Sequence, residues 1–136
     1  MTDHCNLIYS SVHTELMKAC FLLERYLRPN RKPSSTIAIN RHAQFKPHRD
    51  SGAGSGQSES LIVALGEYSG GEIVVENQVH DIRFCPLDFD GWGQRHWTLP
   101  FHGERFSLVW FTPLGLTEND LWWWQQPGLL EFHELC

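Results

Sequence analysis

Between residues 36 and 112, the chain alternates short runs of β-branched and aromatic residues with segments that contain glycine or proline. This spacing predicts roughly seven or eight short strands, among them 36–40, 60–65, 72–76, 79–84, 92–99 and 105–112, with a turn at 68–71. Many short strands of this kind are typical of an antiparallel barrel or a jelly roll. We therefore expect a mainly β domain.

One N-terminal helix is predicted ahead of these strands. Residues 14–28 carry apolar side chains at helical spacing, and the proline and asparagine that follow would end the helix. We expect it to pack on the larger sheet. With 136 residues, the chain can bury one core. A single domain 1–136 would then comprise the helix 14–28, a β core over 36–112 and a C-terminal packing segment 113–136. Three tryptophans at 122–124 would anchor that segment, unless they form an exposed patch for a partner.

A metal site is predicted from two histidines and one aspartate. Side chains at positions i and i+2 of a strand share one face, so His48 and Asp50 can ligate one ion if their segment is extended. Pro47 disfavours a helix there. With His96 as a third ligand, two imidazoles and a carboxylate would bind one face of Fe(II) and leave the other face open. His102 is an alternative third ligand, but we expect it in a turn facing no ligand-bearing strand.

The last predicted strand places a cation in the interior. Alternation along 105–112 puts Arg105 and Ser107 on one face and Phe106, Leu108 and Trp110 on the other. An arginine and a serine on the inward face of an apolar strand are costly to bury without an anionic partner. A dicarboxylate would supply one through paired, charge-assisted hydrogen bonds.

The motif His48-Arg-Asp50, followed by His96-Trp-Thr-Leu-Pro-Phe-His-Gly-Glu-Arg105-Phe-Ser107, resembles the Fe(II)- and 2-oxoglutarate-dependent dioxygenases over about residues 36–112. The resemblance implies a double-stranded β-helix in which His48, Asp50 and His96 bind iron. It implies that Arg105 and Ser107 hold the far carboxylate of 2-oxoglutarate, with Asn40 as a further co-substrate contact or, alternatively, a turn former. The implied activity is hydroxylation of a C–H bond with oxygen and 2-oxoglutarate as co-substrates and succinate as a product.

A narrower resemblance concerns the substrate. The segments 38–41, 48–51, 61–66 and 70–73 are similar to oxygenases that oxidise the methyl group of thymine or 5-methylcytosine in DNA. This implies a pyrimidine methyl group in nucleic acid as the substrate, with Arg41, Arg49, Ser51 and Trp92 as candidate substrate contacts. The chain is short for gripping a duplex around a flipped base. It would therefore act on something smaller or single-stranded, or as the catalytic piece of a larger assembly.

Other functions remain open at this point. The short chain and its acidic balance favour a hydroxylase of a small molecule or a protein side chain. A jelly-roll binding module without chemistry is a second alternative. Replacement of 2-oxoglutarate by ascorbate is a third, which Arg105 disfavours because a permanently charged guanidinium suits a dicarboxylate better.

Charge is unevenly distributed. The net charge of −5 argues against a general polyanion binder, yet seven of the 11 lysines and arginines lie between residues 24 and 50. This basic stretch would meet phosphates beside the metal site or would form an ordinary solvated surface. The glycine- and serine-rich segment 51–58 would be a lid over the substrate or a plain hairpin loop.

The positions of the cysteines and the hydropathy of the chain predict the state of its thiols and its cellular compartment. The four cysteines at 5, 20, 85 and 136 lack the paired spacing of a zinc site or a disulfide framework. Cys20 is predicted to be a core thiol. We expect reduced thiols and a cytoplasmic or nuclear location. Neither a signal peptide nor a segment long enough to span a bilayer is predicted, so no membrane partner is expected.

Overall fold

A computed structural model of the chain describes residues 11–52 and 54–116 and the backbone of 131–134, with side chains from residue 14 onward in the first range. In this part of the chain, one helix and twelve short strands make the protein mainly β, as predicted. The helix is α1 (Ser11–Leu27), and the strands are β1 (Thr36–Arg41), β2 (Gly56–Gln57), β3 (Ser60–Leu65), β4 (Tyr68–Gly70), β5 (Ile73–Val75), β6 (Gln78–His80), β7 (Leu87–Phe89), β8 (His96–Thr98), β9 (Phe101–Gly103), β10 (Phe106–Phe111), β11 (Pro113–Leu114) and β12 (Glu131–Glu134).

Most of these strands belong to two open sheets. The larger sheet has five strands in the order β12-β1-β10-β3-β7, and the smaller has three in the order β6-β5-β8. Two further ladders join β4 to β9 and β11 to β2. Neighbouring strands are antiparallel except β1 and β12, which run parallel.

Helix α1 covers one face of the larger sheet. Its buried Cys20 and the neighbouring apolar side chains pack on a cluster from β1, β3 and β10, formed by Ile37, Ile39, Leu61, Val63, Leu108 and Trp110. The fully buried Trp110 donates its indole N–H to the carbonyl oxygen of Cys20 at 3.1 Å. The predictions that the helix packs on the larger sheet and that Cys20 lies in the core are both confirmed.

The opposite face of the larger sheet packs on the smaller sheet. Ile62 and Ala64 of β3 share a second apolar cluster with Ile73, Val75, Tyr68, Ile82 and Phe89. Alternation along β10 sends Leu108 to the helix side and Val109 to this inner side. Ser107, which is 2% exposed, has the parity of Val109 and therefore lies on the inner face.

Three predicted elements are wrong in detail. The segment 68–71 is not a turn, since Tyr68–Gly70 is strand β4 and pairs with β9. The predicted strand 79–84 is β6 (Gln78–His80) followed by a single bridge at Arg83. Glu76 and Asn77 both have positive φ, 46° and 69°, and so form the tight two-residue turn that fixes where β5 ends and β6 begins. Of the predicted strand 92–99, only His96–Thr98 is a strand. The residues at its predicted start belong to a turn.

Part of the basic stretch serves the fold. Arg31 forms an ion pair at 3.1 Å with Glu24, which is 1% exposed. Arg28 forms an ion pair at 2.8 Å with Asp88 at the edge of the larger sheet. These two arginines therefore connect the end of α1 with the strands. At this end of the basic stretch, the arginines stabilise the fold, which disfavours a role in phosphate binding for them.

Across residues 11–52 and 54–116, no helix has the length and apolar run that crossing a bilayer requires. The predicted C-terminal packing segment contributes β11 and β12. The tryptophans at 122–124 lie outside the described residues, as do the cysteines at 5 and 136.

Candidate metal centre and buried arginine

The backbone brings His48 and Asp50 alongside β8. His48 and His96 form an antiparallel bridge, with N–H to O distances of 3.0 Å and 2.9 Å in the two directions. Asp50 donates its N–H to the carbonyl of Gly91 at 2.8 Å. The segment from His48 to Asp50 is therefore extended, which puts both side chains on one face.

The three side chains converge on one point. Oδ1 of Asp50 lies 3.4 Å from Nε2 of His48 and 3.2 Å from Nε2 of His96. Two ligands bound at about 2.1 Å and at right angles on one metal stand about 3 Å apart, so these spacings suit neighbouring coordination positions. His48, Asp50 and His96 thus form a group that can hold a metal ion.

Backbone carbonyls orient both imidazoles. Nδ1 of His48 lies 2.6 Å from the carbonyl oxygen of Lys46, and Nδ1 of His96 lies 2.9 Å from that of Gln94. A carbonyl only accepts, so each Nδ1 carries a proton, and each Nε2 faces Asp50. A cation between the Nε2 atoms and the carboxylate, either a proton on an imidazole or a metal ion, holds these groups at such short distances. This donor set and its outer hydrogen bonds fit a resident metal ion.

The electrostatics of the group favour an ionised carboxylate. Burial by itself raises the pKa of Asp50, but hydrogen bonds from His48, His96 and Gln57 outweigh it and hold the pKa well below its ordinary value. The hydrogen bond to Asp50 raises the pKa of His48 above its ordinary 6.5, against a smaller opposing effect of burial. In the metal-free protein, a proton on His48 is thus the cation that competes with a metal.

Metal affinity should therefore rise with pH. Protonated His48 cannot ligate, so its raised pKa predicts an affinity that falls about tenfold per pH unit below that pKa and levels off above it. Titrating the protein with Mn²⁺ from about pH 5.5 to about pH 8.5, across the range in which histidines titrate, measures this dependence. An affinity that stays constant through this range would contradict the participation of His48.

The second candidate group is Arg105, which directly precedes β10. This residue is 2% exposed, and its Nη2 donates to the carbonyl of Gly71 at 3.0 Å. The guanidinium carbon lies 5.5 Å from the ring centroids of both Tyr68 and Phe101. Burial lowers the pKa of Arg105, and Tyr68 and, more weakly, Glu72 act against this shift. Among the described residues, no carboxylate oxygen lies within 4.0 Å of the guanidinium nitrogens. Arg105 is thus a buried cation without a contacting anion.

Unpartnered polar atoms are found on this arginine and on residues of the neighbouring segments. Four side-chain atoms of the described residues are buried without a hydrogen-bond partner: Nε of Arg105, the hydroxyl of Tyr68, Nε2 of His42 and Oδ1 of Asn40. Leaving such an atom unsatisfied costs about 1–3 kcal/mol. Nδ2 of Asn40 donates to Oγ of the buried Ser107 at 3.2 Å. Nε of Arg105 and the hydroxyl of Tyr68 can both donate to a small anion, whereas Oδ1 of Asn40 can only accept a hydrogen bond.

The metal group and the arginine cluster lie along the same strands. Ser60 at the start of β3 is next to the Asp50 carboxylate, and Ala64 near its end is opposite Ser107. Four residues of strand separate these two positions by about 13 Å. Arg105 lies two residues farther from the metal group than Ser107, so its long side chain and one small extended dicarboxylate would together have to span this distance and those two residues.

The remaining candidates are the predicted substrate contacts, which the structure places in different surroundings. Arg41 lies on the strand face opposite Asn40 and pairs with Glu104 at 3.7 Å, so the structure does not bring it to the metal group. Arg49 donates Nε to the carbonyl of Gly93 at 3.0 Å and is exposed, as is Ser51 beside Asp50. Trp92 is half-buried in the turn after β7.

His102 is not in a turn as predicted but in β9, opposite Ser69. It is exposed and does not belong to the metal-binding group. The spacing argument that favoured His96 over His102 therefore agrees with the structure.

Sequence reasoning missed three residues of the site. Gln57, in the glycine- and serine-rich segment, donates to Oδ2 of Asp50 at 3.0 Å. Gly91 is next to that carboxylate, and a Cβ at this position would collide with Oδ2. Tyr68 lay in a predicted turn. Gly91 and Tyr68 lie far in the chain from Asp50 and Arg105, and Gln57, although only seven residues from Asp50, is placed by the ladder between β2 and β11. No local pattern therefore signals these contacts.

Comparison with models of protein families gave no match, and comparison with curated proteins gave none. The geometry of the metal group and of Arg105 therefore carries the functional proposal.

Proposed function

We propose that the protein is an Fe(II)- and 2-oxoglutarate-dependent dioxygenase that hydroxylates a C–H bond. The observation that carries this proposal is the coexistence of two groups on connected strands. One is a facial set of two imidazoles and a carboxylate, and the other is a buried guanidinium that contacts no carboxylate in the described part of the chain. A two-histidine, one-carboxylate face with open positions is diagnostic of non-haem Fe(II) oxygenases. The packed five- and three-stranded sheets support a double-stranded β-helix as the fold of this enzyme.

Each part of the site has a role in this proposal. His48, Asp50 and His96 would hold iron, which supplies the redox chemistry when bound. The overall reaction consumes the substrate, oxygen and 2-oxoglutarate and yields the hydroxylated product, succinate and carbon dioxide. Arg105 and the Tyr68 hydroxyl would bind the far carboxylate of 2-oxoglutarate, with Asn40 and Ser107 completing the polar lining.

Aromatic side chains pack beside both groups and shield part of each from water. The Phe89 ring lies edge-on to His96, with 5.0 Å between ring centroids. Phe101 flanks both Arg105 and Tyr68. Removal of water strengthens the ionic contact of the arginine with a dicarboxylate and protects a reactive centre from side reactions.

The substrate that we propose is the methyl group of a pyrimidine base in single-stranded nucleic acid. Phe45 is 38% exposed, and its ring centroid lies 5.8 Å from that of His48. Lys46 and Arg49, both exposed, flank the same histidine. An exposed aromatic ring beside cations suits a stacked base with its phosphates. Such a base would approach the metal group from its open side.

Incubation of the protein with Fe(II), 2-oxoglutarate and single-stranded oligonucleotides that carry thymine or 5-methylcytosine should give hydroxymethyl bases by mass spectrometry, with matching succinate. Phe45→Ala should slow this turnover because it removes the stacking surface, whereas Phe84→Ala, at another exposed phenylalanine, should not. If succinate were released with free metabolites or peptides but not with oligonucleotides, the substrate would be a small molecule or a protein side chain and not a nucleic acid. If the parent protein formed no succinate with any of these substrates, the proposal that it is a 2-oxoglutarate-dependent dioxygenase would be contradicted.

A further inference from the structure

The amide of Gln57 lies between a metal-ligand carboxylate and a buried hydroxyl. Its Nε2 donates to Oδ2 of Asp50 at 3.0 Å and to Oγ of Ser60 at 3.1 Å. The nitrogen is identified by chemistry, because an ionised carboxylate only accepts hydrogen bonds. Ser60 is fully buried at the start of β3. Both N–H bonds of the amide are therefore used, and its orientation is fixed from two directions.

The backbone holds Gln57 in this place. Gln57 belongs to β2, which pairs with β11, so that Gln57 is opposite Pro113. Immediately after it, Ser58 and Thr112 exchange two hydrogen bonds, from Ser58 N–H to the Thr112 carbonyl at 2.8 Å and from Thr112 N–H to Ser58 Oγ at 2.9 Å. The second half of the glycine- and serine-rich segment is thus tied to the end of the last long strand.

The two oxygens of Asp50 have different surroundings. Oδ1 faces both imidazole Nε2 atoms, whereas Oδ2 points away from them toward Gln57. Gly91 leaves the space that Oδ2 occupies, since any Cβ there would collide with it. The carboxylate is therefore presented to the metal position by one oxygen.

We infer that Gln57 is a positioning residue that fixes Asp50 as a one-oxygen metal ligand. This inference rests on the proposed metal site. A carboxylate whose second oxygen is released can turn and bind a metal through both oxygens, which takes up one more coordination position. By holding Oδ2, Gln57 keeps that position free for a co-substrate. Outer hydrogen bonds of this kind orient metal ligands and tune the affinity of the site.

The test compares Co²⁺ binding by the parent, Gln57→Met and Gln57→Leu, with Gln78→Met as the matched control. Both changes at Gln57 remove its N–H donors, and methionine retains the length of the side chain. Gln78 is exposed on β6. We expect Co²⁺ binding about 10- to 100-fold weaker in both Gln57 variants, and visible absorption bands that move away from those of the parent. Gln78→Met should match the parent in affinity and bands. The melting temperature of each metal-free protein is measured in parallel.

The outcomes separate this inference from the site on which it rests. If the parent binds Co²⁺ and the Gln57 variants bind it equally well with the same bands, Gln57 only secures its strand and the inference is overturned, whereas the metal site stands. A lowered melting temperature in the metal-free variants would then measure that structural role. If the parent binds no Co²⁺, the metal site itself is wrong and the inference falls with it.

Discussion

Replacement of His48 by alanine should abolish metal binding and succinate formation while the fold remains intact. The change removes one of three metal ligands. Substitution of a residue that only hydrogen-bonds to a ligand weakens metal binding by up to roughly 100-fold, and we expect a larger loss here. The side chain is 36% exposed, and its one backbone contact is the Nδ1 hydrogen bond to Lys46. Loss of such a bond costs about 1 kcal/mol, so the metal-free variant should melt within a few degrees of the parent.

A thermal measurement gives a second readout of the same variant. A metal present at about 100 times its dissociation constant stabilises the folded protein by about 2.7 kcal/mol. The parent should therefore melt at a higher temperature when the metal is added, and His48→Ala should show no such increase at the same concentration. Succinate release, metal content and the two melting temperatures are measured on the same preparations.

His102→Ala is the matched control for this variant. His102 is exposed on β9 and was the rival third ligand in the sequence. We expect it to retain metal binding and turnover. If His48→Ala retained the metal, the site would be contradicted. If it kept full affinity for the protein's ligand and the parent released no succinate, a non-catalytic binding module would be the better description.

The three central strands of the larger sheet, β1, β10 and β3, could be predicted because their sequences are unambiguous, whereas its edge strands β7 and β12 were not predicted. Ser60–Leu65 is a continuous apolar run bounded by a glutamate and a glycine, and the structure places β3 there without a shift. The alternation along β10 predicted which side chains face the helix. The metal group could be predicted in part because His48 and Asp50 share one face only if the backbone between them is extended. In the structure this backbone is extended.

The rest depends on contacts between segments distant in the chain. Tyr68–Gly70 has the composition of a turn, and only its pairing with β9 makes it a strand. Positive φ at Glu76 and Asn77 places the turn between β5 and β6 one residue earlier than the predicted strands 72–76 and 79–84 imply. Gln57 stands in a segment of low intrinsic order, and its role arises from a ladder with β11. A local pattern carries no information on such partners, so neither the ladder of β4 with β9 nor the hydrogen bond from Gln57 to Asp50 was foreseen.

Arg105→Met should weaken 2-oxoglutarate binding strongly without destabilising the ligand-free protein. Hydrogen bonds to a charged group are worth about 1.5–3 kcal/mol, which corresponds to an affinity about 10- to 150-fold lower and a KM raised to match. Without 2-oxoglutarate, by contrast, Arg105 is a buried cation whose contacts among the described residues comprise one side-chain hydrogen bond and no carboxylate. Replacing an uncompensated buried charge by an apolar side chain of similar length is often neutral or stabilising.

The combination of these two effects distinguishes a binding arginine from a structural one. Isothermal titration gives the affinity for 2-oxoglutarate in the metal-loaded protein, and thermal unfolding gives the stability without it. Arg83→Met is the control, because Arg83 lies 5.6 Å from the same Tyr68 ring but is half-exposed and pairs with Glu67. It should leave 2-oxoglutarate binding unchanged. Arg105→Lys should not rescue the loss, since an ammonium group lacks the planar fork that grips both carboxylate oxygens. If Arg105→Met bound 2-oxoglutarate as the parent does and melted several degrees lower, the arginine would serve mainly to hold the Gly71 carbonyl, and the co-substrate would have to be anchored elsewhere.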